Sequence, residues 1–205
     1  TIMRTDEQTV RILKEYWKRG GKIQWIAQTY PKYDDLSNLK LAVDNGAVGG
    51  FVQGGYAERF INENRVDALN ESIEYMRGQG LLSGTAAHDI IVPKTCVADG
   101  IEADFYMKTF HHHNYWSAPA PDRKGYAWCE SPEETAEFFK NCKTPWIAYK
   151  VLAAGAIKPD DGFKFAYENG ADFTCVGMFD FQIVDNANST VSVLNSGLKR
   201  ERKWY

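Results

Sequence analysis

Ala166-Tyr167-Glu168-Asn169-Gly170-Ala171, followed by the apolar run from Phe173 to Met178, is the stretch that decides how this chain is read. The face of a helix ends at Asn-Gly, where glycine can take the left-handed conformation that closes a helix, and a strand-like segment begins two residues later. The same order occurs at Ala42-Val43-Asp44-Asn45-Gly46-Ala47, again followed by an apolar run. A looser copy leads from Ala98-Asp99-Gly100 to Ala103-Asp104-Phe105, which matches Ala171-Asp172-Phe173. Helix, stop, strand is therefore a repeated unit of this sequence.

Working outward from that unit, six apolar runs have strand length: Ile23 to Gln28, Gly50 to Gln53, Leu82 to His88, Phe105 to His111, Trp146 to Val151 and Phe173 to Met178. Helix-patterned segments separate them, at Leu36 to Asp44, Arg65 to Arg77 and Asp160 to Glu168, with a shorter one expected after His88. Thr5-Asp6-Glu7-Gln8 and Ser131-Pro132-Glu133-Glu134 both fit a capping box, the second with proline at the first helical position. Strands alternating with helices imply an α/β protein with a parallel sheet, because a parallel neighbour cannot be reached by a hairpin. An open doubly wound sheet is the alternative, but no GxGxxG or GxxxxGK[ST] sequence supports a nucleotide fold. The expectation is a parallel (β/α) TIM-type barrel. A full barrel of eight units takes about 250 residues. Six units in 205 residues, with a helix from Asp6 to Lys18 as the first recognisable element, predict a single domain over residues 1–205 that lacks amino-terminal β/α units.

Composition narrows the partners. The net charge of -3 leaves no basic excess for a nucleic-acid backbone. No window approaches the roughly 20 consecutive apolar residues that cross a bilayer, and the amino terminus lacks the layout of a secretory signal. A small-molecule partner and a soluble, cytoplasmic chain are expected. The four cysteines show no CxxC spacing and read as reduced thiols. A chain with an open barrel edge would also be expected to pair with another copy or to have that edge covered.

The stretch Pro145-Trp146-Ile147-Ala148-Tyr149-Lys150-Val151-Leu152-Ala153-Ala154-Gly155-Ala156-Ile157, then a helix, then Asn169 to Gly177, resembles the last two units of aldolase-type and phosphate-binding TIM barrels over about a fifth of the chain. Together with Asp104-Phe105-Tyr106-Met107-Lys108-Thr109-Phe110-His111-His112, it is similar to an uncharacterised family of bacterial TIM-barrel proteins. The resemblance implies that these are the last two strands, closed by a helix from Phe181 to Leu194. It also implies a phosphate-type loop at Ala154, Gly155 and Gly177, although the usual pair of glycines is reduced to one and Asp180 would set a carboxylate beside the anion. A plain tight turn is the competing reading there.

In a parallel barrel the carboxyl ends of the strands converge on one cavity, so the strand ends can be read as a site. They supply Gln28, Gln53, His88 with Asp89, Lys108 with His111, His112 and His113, Lys150, and Asp180. All four histidines fall at two strand ends. His88, Asp89 and His111 could hold a divalent metal ion, or His88, His111 and His112 could transfer protons without one, or the histidines could simply bond to backbone and water. Lys108 and Lys150 lie within apolar strands, where an ammonium is costly unless it faces a polar cavity or a carboxylate. Each is open to Schiff-base chemistry, to electrostatic binding of substrate, or to a structural ion pair. The charged tail Lys199 to Lys203 reads as a solvated terminus. The leading expectation is a lyase, aldolase or isomerase of carbohydrate metabolism, acting on a small sugar-like or carboxylated substrate by proton transfer next to a carbonyl. His88, Lys108, His111, His112 and Lys150 would be catalytic, and Gln28, Gln53, Ala154, Gly155, Gly177 and Asp180 would bind substrate. The alternatives are a metal-dependent hydrolase and a non-catalytic metabolite-binding barrel.

Overall fold

The computed structural model describes residues 1–118 and 128–204. The sheet contains β1 (Ile2–Arg4), β2 (Ile26–Thr29), β3 (Gly49–Val52), β4 (Leu82–Ala87), β5 (Phe105–Thr109), β6 (Trp146–Tyr149) and β7 (Phe173–Cys175). The strands are parallel, and their order in the sheet is their order in the chain, β1 to β7. The helices are α1 (Glu7–Lys18), α2 (Ser37–Asp44), α3 (Gly54–Asn62), α4 (Val66–Gly78), α5 (Ile91–Ala98), α6 (Pro132–Asn141), α7 (Pro159–Glu168) and α8 (Ile183–Leu194). The parallel α/β class read from the repeated unit is the observed one. Two expectations change. The sheet has seven strands rather than six, because β1 is only three residues long and carries no alternation to read. A second helix, α3, follows β3; it opens on Gly54-Gly55 and so lacks a helix-like sequence at its start. No helix among the described residues is long and apolar enough to cross a membrane.

The repeated helix stop has one geometry throughout. Gly46, Gly100 and Gly170 have φ of 87°, 70° and 99°. The residue after each glycine donates its N–H five residues back: Ala47 to Ala42 at 3.2 Å, Ile101 to Cys96 at 2.8 Å and Ala171 to Ala166 at 3.0 Å. The glycine N–H reaches the carbonyl three residues back, so two otherwise orphaned helix-end carbonyls are satisfied. Helices α1 and α4 end the same way at Gly20 and Gly80, and α3 does so with Asn64 at φ 57°.

Contacts divide the chain into two compact units, Thr1–Ala87 with Ile91–Tyr106, and His88–Ile90 with Met107–Tyr205. In the first, β3 is buried along its whole length, as expected for a parallel strand covered on both faces. Its glycines are required by close approach: a Cβ on Gly50 would stand 2.7 Å from Met76 Sδ of α4, and one on Gly49 would stand 3.0 Å from the Leu82 carbonyl. Helix α4 turns Ala68, Leu69, Ser72, Ile73 and Met76 inward. At the start of α1, Asp6 rather than Thr5 is the cap, accepting from Thr9 N–H at 2.8 Å, and this bond holds the Asp6 carboxyl below its usual range.

The core of the second unit is aromatic. Trp146 stacks on Phe139 with centroids 4.3 Å apart, and Phe110 meets Trp146 edge-on at 5.2 Å. Ser131 occupies the cap position of α6 without a side-chain bond, so the capping box expected there is absent. The echo between Ala103-Asp104 and Ala171-Asp172 has a physical role. Asp104 accepts from Ser83 N–H at 2.7 Å, and Asp172 accepts from Trp146 N–H at 3.1 Å. Each aspartate therefore satisfies a backbone donor on the strand before it.

Asp172 does more than its counterpart, and it corrects the expectation of a solvated tail. Arg200 and Arg202 reach its carboxylate at 2.9 and 2.6 Å, with the three side chains only 6%, 8% and 2% exposed. Arg200 also donates to the Tyr167 and Ala171 carbonyls, and Arg202 to those of Cys142 and Thr144. The terminus is clamped to the α7–β7 turn. Removing the carboxylate strands two buried guanidinium groups and the Trp146 N–H, so Asp172→Ala is expected to cost about 3–5 kcal/mol. Urea unfolding measures this, and a loss no larger than that of a surface aspartate would contradict the clamp.

Candidate active site

The strand-end residues of the second unit fall into two groups, the first formed where β6 ends. Tyr149 is the last residue of β6, and Lys150 follows it with φ 59°, a left-handed conformation that turns the chain sharply. Ala153 and Ala154 are left-handed as well, with φ of 44° and 57°, and Gly155 follows at 90°. Non-glycine residues held this way cost on the order of 1–3 kcal/mol each and persist only where the surroundings enforce them. The enforcing element is α7: a Cβ on Gly162 would lie 2.7 Å from the Val151 carbonyl and 2.8 Å from Leu152 Cδ2, so helix and loop are in direct contact.

This loop forms one wall of a cavity of about 910 Å³. Tyr149, Lys150, Ala154, Gly155 and Lys158 line it from the β6 side, and Cys175, Gly177, Phe179, Gln182 and Asn186 from the β7 side, with Trp128 completing it. Lys150 Nζ lies 5.9 Å from the centre of the Tyr149 ring, and the His88 ring meets the same tyrosine edge-on at 5.8 Å. Tyr149 therefore touches both His88 and Lys150, and with Lys150 it lines the cavity. Its place at the strand end is a signal the sequence did carry, masked by the more conspicuous lysine beside it.

Four backbone N–H groups of the loop are engaged within it. The N–H groups of Ala153, Gly155, Ala156 and Ile157 donate to carbonyls within the loop, at 2.8–3.2 Å. That is the tight-turn alternative. Asp180 is exposed, accepts from Phe181 N–H at 2.9 Å, and is not among the described lining residues.

The second group lies after β5. Lys108 is 2% exposed and donates to the Thr109 carbonyl at 2.9 Å. His111 is 1% exposed, with both ring nitrogens engaged. Nε2 accepts from Cys129 N–H at 3.1 Å, which assigns the proton to Nδ1, and Nδ1 then donates to the His112 carbonyl at 3.0 Å. Burial is the main cause that drives the His111 pKa down to about 4, and the charge of Lys108 adds to it. Burial likewise raises the Cys129 thiol, with Lys108 opposing it. His112 accepts from Asn114 N–H at 3.1 Å and packs edge-on against Phe165 of α7 at 5.2 Å. The Cys129 anchor was missed because it lies 18 residues from its histidine. With both nitrogens occupied His111 has no lone pair to offer a metal, and among the described residues no three His, Cys, Asp or Glu side chains group as a metal site.

In the first unit, the Gln53 carboxamide caps α3, accepting from Tyr56 N–H at 3.2 Å, and Gln28 donates to the Tyr30 hydroxyl. Trp25 is fully buried, with its indole N–H on the Met3 carbonyl. A recess of about 950 Å³ also lies along α1, but Glu7, Arg11, Lys14, Glu15 and Lys18 line it as successive turns of one helix, not as converging strand ends. No family model matches the chain, and no curated protein matches it.

Two outcomes follow from this geometry. Alanine at Gly162 would favour the helix by about 1 kcal/mol on propensity. The contact with Val151 should reverse the sign, giving a net loss of about 1–3 kcal/mol in urea unfolding. A more stable Gly162→Ala protein would contradict the packing described. For His111, the depressed pKa means that stability present above pH 6.5 is lost as pH falls toward about 4, because only the unfolded chain takes up the proton in that window. Nitrogen-detected NMR should show a neutral Nδ1–H ring from pH 8 to 5; titration above pH 6 would contradict the assignment.

Proposed function

We propose that this chain is an enzyme that moves a proton next to a carbonyl of a small substrate held in the cavity at the ends of β6 and β7. The observation that carries the reading is that Lys150 and Tyr149 line one cavity, with His88 against the Tyr149 ring. In this reading Lys150 holds the carbonyl oxygen, whose negative charge grows as the neighbouring proton leaves. A cation already in place at that oxygen lowers the barrier without reorganisation. Tyr149, with His88 against its ring, is the acid–base element. In this reading Lys108 and His111 are structural, with backbone hydrogen bonds to their side chains. Lyase, aldolase and isomerase reactions share this step, and the reading extends to all three. Seven parallel strands in chain order support a TIM-type (β/α) barrel as the scaffold, in which sites form at this end of the strands.

The test is solvent-deuterium exchange, followed by NMR, into a panel of aldoses, ketoses and oxo acids. The wild-type protein is expected to exchange the proton beside the carbonyl of at least one class. Lys150→Gln should slow that exchange by about 100-fold or more, and Tyr149→Phe should also slow it. Exchange no faster than in buffer across the panel, or exchange unaffected by Lys150→Gln, would sink the proposal.

A further inference from the structure

We propose that α8 is the surface through which two copies of this chain associate, packed antiparallel across a two-fold axis. The helix follows β7, the edge strand of the sheet, and the helix it packs against is α7. What it buries there is not its apolar side. Asn186 and Val193 are its buried residues. Asp185, Asn186 and Ser189 share a recess with Lys158 and Asp160 at the start of α7, where Ser189 donates its hydroxyl to Asp160. The apolar residues lie elsewhere: Ile183, Val184, Val191 and Leu194 are between 41% and 67% exposed, and Ala187 is exposed with them. At 3.6 residues per turn these five share an arc of about 100°. An amphipathic helix turns such a stripe to the core, so here the pattern is inverted. Phe179 and Phe181, stacked on each other and more exposed still, extend the patch from the amino end of the helix.

The order of residues along the stripe selects a second copy as the partner. Val184, Ala187, Val191 and Leu194 are spaced by 3, 4 and 3 residues, so the stripe reads the same from either end. Laid antiparallel on its own copy, Val184 meets Leu194 and Ala187 meets Val191, which is the self-complementarity a two-fold interface requires. The charge pattern agrees. A quarter of the chain's residues are charged, at 25%, yet the 12 residues of α8 include a single charge, Asp185. In a symmetric pair a charge near the axis meets its own sign, whereas the two Asp185 carboxylates would lie toward opposite ends of the contact. Asn188 and Asn195 border the stripe, and a carboxamide both donates and accepts, so it can pair with its own kind. A lipid surface selects lysine and arginine on the polar side of such a helix, and α8 has neither. Three helical turns make a small interface beside the about 800 Å² per partner of stable complexes, so the dimer should dissociate at micromolar dilution.

Sedimentation equilibrium on the full chain at rising concentration tests this. The measured mass is expected to climb from 23.2 kDa toward twice that value across the micromolar range. Val191→Glu, at an exposed position, should leave the circular dichroism unchanged and weaken association at least about 100-fold, and Val191→Ser should weaken it about tenfold. Ala187→Lys combined with Val191→Glu should restore the dimer, because each lysine then faces the glutamate of the other copy. Loss of folding could not be rescued in that way. The inference is overturned if the chain stays at 23.2 kDa throughout, if the dimer is indifferent to Val191→Glu, or if the double variant remains monomeric. A monomer that instead sediments with phosphatidylglycerol vesicles would assign the face to lipid and overturn it as well.

Discussion

A helix that ends against a buried strand leaves carbonyls that water cannot reach, and most helix-to-strand passages described in this protein satisfy them within two residues. The left-handed residue at Gly46, Gly80, Gly100 and Gly170 does this with two backbone bonds, and it also points the chain into the next strand. The first strand residues then pair at once, as Val48 does with Trp25 and Asp172 with Trp146. The passage from α6 to β6 is the exception, with Cys142 extended at the helix end, and the strands nonetheless form a parallel sheet in chain order. The carboxyl ends of those strands, opposite the turns, are free to carry loops of differing sequence.

After β6, that freedom takes the form of a loop with three left-handed non-glycine residues, and Gly162 is the reason it can exist. A helix with any side chain at that position would push Val151 away and release the loop from the conformation that sets Lys150 beside Tyr149. The strain is therefore local to the site and is held by packing below it. The second cluster works in the opposite sense. His111 is held neutral by burial, with its two ring nitrogens bonded to the Cys129 N–H and the His112 carbonyl.

Legibility in the sequence followed the size of the local signal. The Asn-Gly stops and the buried runs of β3 to β6 were readable because each depends on residues adjacent in the chain. The three residues of β1 and the glycine-led start of α3 were not, since their structure comes from partners elsewhere in the fold. At the site, the strand-end rule pointed to His88 and Lys150 and the resemblance to Ala154, Gly155 and Gly177; the last four line the cavity and the first touches its wall. The rule could not separate His111 from His88, because what distinguishes them is a backbone donor 18 residues away. Nor could it see that Arg200 and Arg202 fold back onto Asp172, since charge in a terminal segment reads as solvated unless its buried partner is known.

A crystal structure of the chain soaked with a carbonyl compound whose proton it exchanges tests the central claim most directly. The cavity beyond β6 and β7 should contain the ligand, with its carbonyl oxygen within hydrogen-bond distance of the Lys150 ammonium. Ligand bound elsewhere on the protein, or a cavity filled by its own side chains with Lys150 turned away from it, would contradict the account.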